Sequence, residues 1–274
     1  MNVDCGDVTY HIQVAGEGEA LLLLHGFTGS GQTWEYLIDD LKEDYFVIMV
    51  DIIGHGQSDH PRDVRKYDIK RVAGDIKAIL HDLNFSSAHV LGYSMGGRLA
   101  LTLACLYPEI VRSLILESAS PGLKTREERE KRRHHDKKLA NEISDKGISA
   151  FIKKWENIPL FASQNKLPVE QKQAIRSQRL KNTEVGLANS LLGMGTGAQP
   201  SWWDFLPRLN MQVLLITGEL DVKFCEIARA MAREINSVKW VTVNDTGHTI
   251  HVESPQKFGT IVKEFLLSNH TNNT

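Results

Sequence analysis

The sequence predicts an α/β fold: a mostly parallel sheet flanked by helices, with a helical cap inserted into it. Three observations carry that expectation. Short apolar runs at 20–24, 46–51 and 88–93 alternate with longer amphipathic stretches, the pattern of strands buried on both faces by crossover helices. The alternation stops after Pro121-Gly122 and resumes at about residue 213. With 274 residues, the chain can bury roughly three-quarters of its unfolded surface and needs neither metal nor disulfide to hold a core.

The elements follow in order. Residues 8–14 alternate apolar and polar side chains and read as a half-buried strand; 20–24, 46–51, 88–93 and 114–117 read as fully buried ones. Residues 34–41, 68–83 and 94–107 carry helical spacing between them, and Tyr107-Pro108 stops the last, because proline cannot continue a helix. From 124 to about 206 no stretch reads as a strand, and helical patterns succeed one another at 127–142, 148–155, 169–180 and 184–192. A strand at 213–217, a helix at 223–235, a strand at 239–243 and a helix at 255–267 resume the alternation. Residues 1–121 and 207–270 are therefore expected to form the two parts of one core, with 122–206 as the helical cap. Residues 270–274 read as a frayed polar tail.

Composition excludes several classes. Thirty-two basic against 34 acidic residues leave a net charge of -2, whereas a nucleic-acid-binding surface is usually strongly basic. Cys5, Cys105 and Cys225 are odd in number and widely spaced, with no CxxC pair, so reduced thiols are expected and neither a disulfide framework nor a zinc site. The first residues are polar and acidic, with no basic segment leading into an apolar one, which points to a cytoplasmic protein. No apolar run approaches the roughly 20 residues that span a bilayer, so membrane insertion is not expected. Nothing in the single chain sets an oligomeric state.

The sharpest chemical signal is Gly92-Tyr93-Ser94-Met95-Gly96, after the 88–93 strand and before a helix. This is the G-x-S-x-G nucleophile elbow in its proper context. Glycines flank the serine because a strand turning directly into a helix leaves no room for side chains there. The turn lifts the Ser94 hydroxyl from the sheet and sets the Met95 N–H at a helix start, where it can stabilise negative charge. His25-Gly26-Phe27 follows the 20–24 strand, where this architecture places a second oxyanion donor, the Phe27 N–H. His25 itself is expected to fix that loop.

A serine hydroxyl needs a base, and the base needs an orienting carboxylate. His248 follows the 239–243 strand and Asp221 follows the 213–217 strand, giving the order serine, aspartate, histidine. Glu117, at the end of an earlier strand, and Glu219 are rival carboxylates that more simply bond loops or backbone. His251 invites a metal reading with His248, but no Glu or Cys set stands at ligand spacing, so solvent-facing or core packing is the plainer role. Cys105 reads as a buried small hydrophobe and His134 and His135 as solvated residues. Arg98 lies one helical turn after Ser94, where an enzyme acting on a neutral ester gains nothing from a guanidinium; it serves either a structural ion pair or an anionic substrate.

The elbow, the His25-Gly26 loop, Asp221, His248 and the helical insertion together resemble the α/β-hydrolase superfamily. A narrower resemblance rests on Gly92-Tyr93-Ser94-Met95-Gly96-Gly97-Arg98, on Glu117 followed by Pro121-Gly122-Leu123, and on Trp155-Glu156-Asn157-Ile158-Pro159-Leu160-Phe161-Ala162-Ser163. With Arg176-Ser177 and Lys223-Phe224, these are similar to the MenH family, the 2-succinyl-6-hydroxy-2,4-cyclohexadiene-1-carboxylate synthases of menaquinone biosynthesis. The likeness runs over essentially the whole chain, insertion included.

That resemblance implies a lyase: pyruvate is eliminated from 2-succinyl-5-enolpyruvyl-6-hydroxy-3-cyclohexene-1-carboxylate, with Ser94 as a triad-activated general base. It implies a small polycarboxylate substrate held by Arg98, Arg132 and Arg176, a pocket lined by Tyr93 and Trp155, and no metal or organic cofactor. Lys131, Arg132 and Arg133 are adjacent, so a shift of one residue would exchange them. Most of the charge in 124–138 is expected on a solvated helix face. The alternative is a serine hydrolase, whether esterase, thioesterase or C–C bond hydrolase, with Ser94 as nucleophile, since fold and triad alone do not separate the two.

Overall fold

The sheet is built from β1 (Asn2–Asp4), β2 (Thr9–Ala15), β3 (Glu19–Leu24), β4 (Tyr45–Val50), β5 (Ala88–Tyr93), β6 (Val111–Glu117), β7 (Gln212–Gly218) and β8 (Val238–Val243). The computed structural model describes residues 1–270, with the backbone alone for 269 and 270; the rest of the polar tail lies outside the described residues. Strand order is β1-β2-β4-β3-β5-β6-β7-β8. The β1–β2 and β2–β4 pairs are antiparallel and every other pair is parallel. The short edge strand β1 is the one strand whose three residues carry no readable periodicity.

Alternation within each strand divides the core. Leu22 and Leu24 of β3 join Val90, Leu114 and Val213 on one face, whereas Leu21 and Leu23 join Leu91, Ile115 and Leu214 on the other. The first face is covered by α2 (Ile69–Asp82), α3 (Met95–Leu106) and α7 (Val222–Glu234). The second is covered by α1 (Glu35–Leu41) and, later in the chain, by the short α8 (Ile250–Glu253) and by α9 (Pro255–His270). Helix α2 shows how locally this is set. Asp68 caps it by accepting from the Lys70 and Arg71 amides, and Ile69, Val72, Ala73, Ile76, Ile79 and Leu80 recur at three and four residues to bury one stripe.

Between β6 and β7 lie α4 (Arg126–Trp155), α5 (Val169–Leu180) and α6 (Glu184–Met194), with short 3₁₀ turns at Pro159–Lys166 and Trp203–Arg208. Thr125 and Glu128 form a capping box at the start of α4. The two helices expected at 127–142 and 148–155 are arms of this one element, which breaks at Gly147 (φ 77°, ψ 167°). A third apolar cluster unites the arms with α6 through Ala140, Ile143, Phe151, Ile152, Leu187 and Leu191, and Phe27 and Trp155 pack against it. A core loop and the insertion therefore meet through Phe27. No described helix is long and apolar enough to cross a membrane, and all three cysteines are free.

Candidate active site

Ser94 sits between β5 and α3 with φ 49° and ψ -103°, a positive-φ backbone that glycine tolerates and residues with a Cβ rarely adopt. Its amide donates to the Glu117 carbonyl at 2.9 Å, tying the turn to β6. Crowding explains the flanking glycines: a Cβ on Gly92 would lie 2.4 Å from the Gly96 carbonyl oxygen, and one on Gly96 2.1 Å from that of Leu24. Met95 opens α3, so its N–H has no partner in a preceding helical turn.

The strand ends bring the predicted side chains together. His248 Nε2 lies 3.1 Å from Ser94 Oγ, and His248 Nδ1 lies 2.6 Å from Asp221 Oδ2. Asp221 also caps α7 by accepting from the Phe224 amide at 3.3 Å, which fixes the carboxylate's direction. The His248 ring is buried among Phe224, Tyr93 and Phe161, with centroids at 4.6, 5.5 and 6.2 Å. Phe27 is held from behind. The Ile52 amide donates to His25 Nε2 at 3.0 Å, so the proton is on Nδ1, which donates to the Gly26 carbonyl at 2.7 Å. His25 thus fixes the loop, as its position suggests.

The rival residues form a pair of their own. Glu117 is fully buried and takes the His251 amide and His251 Nδ1, the latter at 2.9 and 2.8 Å to its two oxygens. His251 is 2% exposed, so it packs in the core and does not face solvent. Glu219 accepts from the Asp245 amide. Among the described residues no group of three His, Cys, Asp or Glu side chains could hold a metal ion.

A cavity of about 360 Å³ opens on Ser94 and His248. Phe27, Tyr93, Met95, Trp155 and Phe161 form its apolar wall, and Arg98, Lys124, Arg132 and Lys223 reach it against one carboxylate, Glu128, among the described residues. Arg98 donates from one guanidinium nitrogen to the Met194 carbonyl and to Gln199 Oε1, both at 2.6 Å. It therefore braces the insertion as well as facing the cavity. Burial, then the neighbouring Arg132 charge, lowers its pKa to about 10, which leaves it charged at neutral pH. Arg132 is bound to Asp136 at 2.7 Å. Of its neighbours, Arg133 turns instead to the Gly197 carbonyl and Lys131 is exposed. Lys124, counted with the solvated charge of 124–138, and Lys223, noted only within a motif, were not assigned to a pocket; their signal is position, in the segments that follow β6 and β7.

Arg176 is not brought to this cavity. Its side chain is 46% exposed, pairs with Glu156 at 2.6 Å and lines a separate cleft. One helical turn further on, Arg179 is 8% exposed and lies 5.0 Å from the centroid of Phe161. Burial lowers its pKa, partly offset by Tyr93 and Glu156. It borders a second cavity of about 400 Å³ that shares Phe27, Tyr93 and Phe161 as a wall with the first. The α5 sequence places arginines at 176 and 179 on neighbouring positions of one face, and only the packing of Phe161 distinguishes the buried one.

Comparison with known proteins follows this geometry. Residues 19–255 match the alpha/beta hydrolase fold family. A Bacillus subtilis (strain 168) protein named "Putative 2-succinyl-6-hydroxy-2,4-cyclohexadiene-1-carboxylate synthase" is 48% identical, covering 93% of this chain and 94% of its own. The 2-succinyl-6-hydroxy-2,4-cyclohexadiene-1-carboxylate synthase of Photorhabdus laumondii is 31% identical over 90% of this chain and 84% of its own. The solved structure of MenH from S. aureus superposes with a TM-score of 0.91 at 36% identity, covering 95% of this chain and 98% of that one. The chain belongs to the α/β-hydrolase fold family and, within it, to the 2-succinyl-6-hydroxy-2,4-cyclohexadiene-1-carboxylate synthases.

Proposed function

We propose that this protein eliminates pyruvate from 2-succinyl-5-enolpyruvyl-6-hydroxy-3-cyclohexene-1-carboxylate in menaquinone biosynthesis, giving 2-succinyl-6-hydroxy-2,4-cyclohexadiene-1-carboxylate. The observation that carries this reading is the junction of two features. Ser94, His248 and Asp221 stand in hydrogen-bonding order at a cavity that four cationic side chains and one carboxylate line. A neutral ester would leave those charges unused, whereas a polycarboxylate matches them.

The chemistry follows from substrate and product. His248, oriented by Asp221, takes the Ser94 proton, and the Ser94 oxygen removes the ring proton α to the succinyl carbonyl. The electron pair moves toward that carbonyl oxygen, and the Phe27 and Met95 amides receive the developing charge. The dienolate then collapses, the carbon–oxygen bond to the enolpyruvyl group breaks, and a second ring double bond forms. The leaving enolate takes up a proton and becomes pyruvate. Arg98 and Arg132 hold carboxylates, with Tyr93 and Trp155 as walls. Arg179 is the better third arginine, in place of Arg176, because it is buried beside Phe161. Residues 122–206 act as the cap that shields the dienolate from water. We place this reaction in the cytoplasm, on a free small molecule, with no nucleic-acid partner and no resident cofactor.

Following pyruvate release from the purified substrate, with NADH oxidation by added lactate dehydrogenase, tests the reading. One pyruvate per diene formed is expected. A burst of acyl-enzyme with an activated ester, together with no pyruvate from this substrate, would establish the serine-hydrolase alternative instead.

A further inference from the structure

Both acceptors of the Arg98 guanidinium are neutral. Nη1 donates at 2.6 Å to the Met194 carbonyl, at the end of α6, and at 2.6 Å to Gln199 Oε1. Asp136 raises the Arg98 pKa by its charge, yet its carboxylate is bound to Arg132 at 2.7 Å. Arg98 Nε and Nη2, the edge of the fork that takes a carboxylate in two parallel bonds, donate to no acceptor among the described residues. Gln199 itself is 1% exposed, and its Nε2 has no hydrogen-bond partner among the described residues. That nitrogen lies against Gly122, where a Cβ would fall 2.7 Å from it.

We infer that Gln199 is a positioning residue for substrate specificity: it holds Arg98 by Nη1 with a neutral acceptor, so that the Nε–Nη2 edge stays free and charged for a substrate carboxylate. The inference rests on the function proposed above for its first assay and not for its second. The residue type is what carries it. A buried amide with an unsatisfied nitrogen is costly, and an apolar side chain would remove that cost. An apolar side chain would also leave Nη1 short of an acceptor, whereas a glutamate would supply the acceptor and neutralise the guanidinium. Glutamine accepts from the cation without cancelling its charge. The end of α6 acts alike, since a helix C-terminus offers partial negative charge and no full countercharge. A guanidinium already fixed at one nitrogen then meets the carboxylate with little further ordering.

Gln199→Glu, which adds a charge at nearly constant shape, and Gln199→Met, which removes the acceptor, test this. In pyruvate release, Gln199→Glu should raise KM about tenfold or more with kcat within about threefold of wild type, as expected when ground-state binding is lost. Gln199→Met should raise KM about threefold or more. In an Arg98→Ala background it should change kcat/KM less than about twofold, because no guanidinium is left to hold. The second assay needs no turnover: calorimetric binding of 2-(3-carboxypropanoyl)benzoate, an aromatic dicarboxylate with the substrate's succinyl arm, and of its uncharged dimethyl ester. Both variants should bind the dicarboxylate more weakly, by about the same factors as KM, and the diester within about twofold of wild type. If the wild type releases no pyruvate, the reaction assignment fails and the binding constants alone decide the inference. A wild type that binds the dicarboxylate no better than the diester, variants that retain the dicarboxylate, or variants that lose both ligands equally would overturn it.

Discussion

Glu117 grips His251 through both its ring Nδ1 and its backbone amide, in a buried carboxylate–histidine pair set beside the one formed by Asp221 and His248. The two pairs share a geometry and differ in what the ring meets next. His248 presents Nε2 to Ser94, whereas the His251 ring lies between Trp34 and Tyr93, with centroids at 4.8 and 4.6 Å. Removing one member of a buried pair strands the other and costs roughly 3–5 kcal/mol. Glu117→Ala is therefore expected to destabilise the fold by about that much in urea denaturation. At temperatures where it stays folded, its turnover should fall less than about tenfold, against roughly a thousandfold or more for Asp221→Ala. Equal losses of turnover would give Glu117 the orienting role.

The Ser94 backbone offers a separate test of strain. At φ 49° and ψ -103°, a residue with a Cβ costs on the order of 1–3 kcal/mol relative to an unstrained site. Ser94→Gly relieves that strain and Ser94→Ala does not. Both should lose turnover by several orders of magnitude, and the glycine variant should unfold at higher urea concentration, by about 1 kcal/mol or more. Equal midpoints for the two variants would mean the elbow stores no such strain.

For the arginines, burial predicts the ranking. Arg98 and Arg132 face the cavity, Arg179 is buried beside its aromatic wall, and Arg176 holds an exposed pair with Glu156. Exposed pairs contribute about 0–1 kcal/mol, so Arg176→Ala should change kcat/KM no more than about threefold. Arg98→Ala and Arg179→Ala should each lower it roughly a hundredfold, the scale of a charge-assisted bond lost from a desolvated site. Steady-state pyruvate release separates them; a large loss at Arg176 with none at Arg179 would restore the assignment made from sequence.

These cases show where sequence reading succeeds. Ser94, Asp221 and His248 were legible because each follows its own apolar strand, and in a parallel sheet successive strands deliver their ends to one edge. The two-faced core was legible for the same reason, in the run from Leu21 to Leu24. Arg179 was not, because its distinction from Arg176 is a tertiary fact: which turn of α5 lies over Phe161. The hydrogen bonds from Gln164 to the Thr249 hydroxyl and between the Thr249 and Tyr93 hydroxyls were equally hidden, since their members lie 85 and 156 residues apart in sequence and no local spacing marks them. The break at Gly147 follows from φ 77°, which glycine permits but which its presence in a charged helical stretch does not require.

His55 carries the last expectation, on pH. Its ring is buried against His25 and Phe27, and its Nε2 has no hydrogen-bond partner among the described residues. Burial first, then the adjacent His25, pushes its pKa down to about 3, against about 6.5 in an unfolded chain. The folded protein keeps this ring neutral while the unfolded chain takes a proton below about pH 6.5. Its contribution to stability is thus complete above that pH and is lost progressively as pH falls toward 3, with a limiting slope of about 1.4 kcal/mol per pH unit. His25, lowered by burial as well, acts in the same direction. Between pH 7 and 5, His55 should cost the wild type about 2 kcal/mol that His55→Leu does not lose. Urea midpoints at pH 7, 6 and 5 measure the difference. The His55→Leu curve should be the shallower, and parallel curves would mean that the buried ring takes up its proton without unfolding.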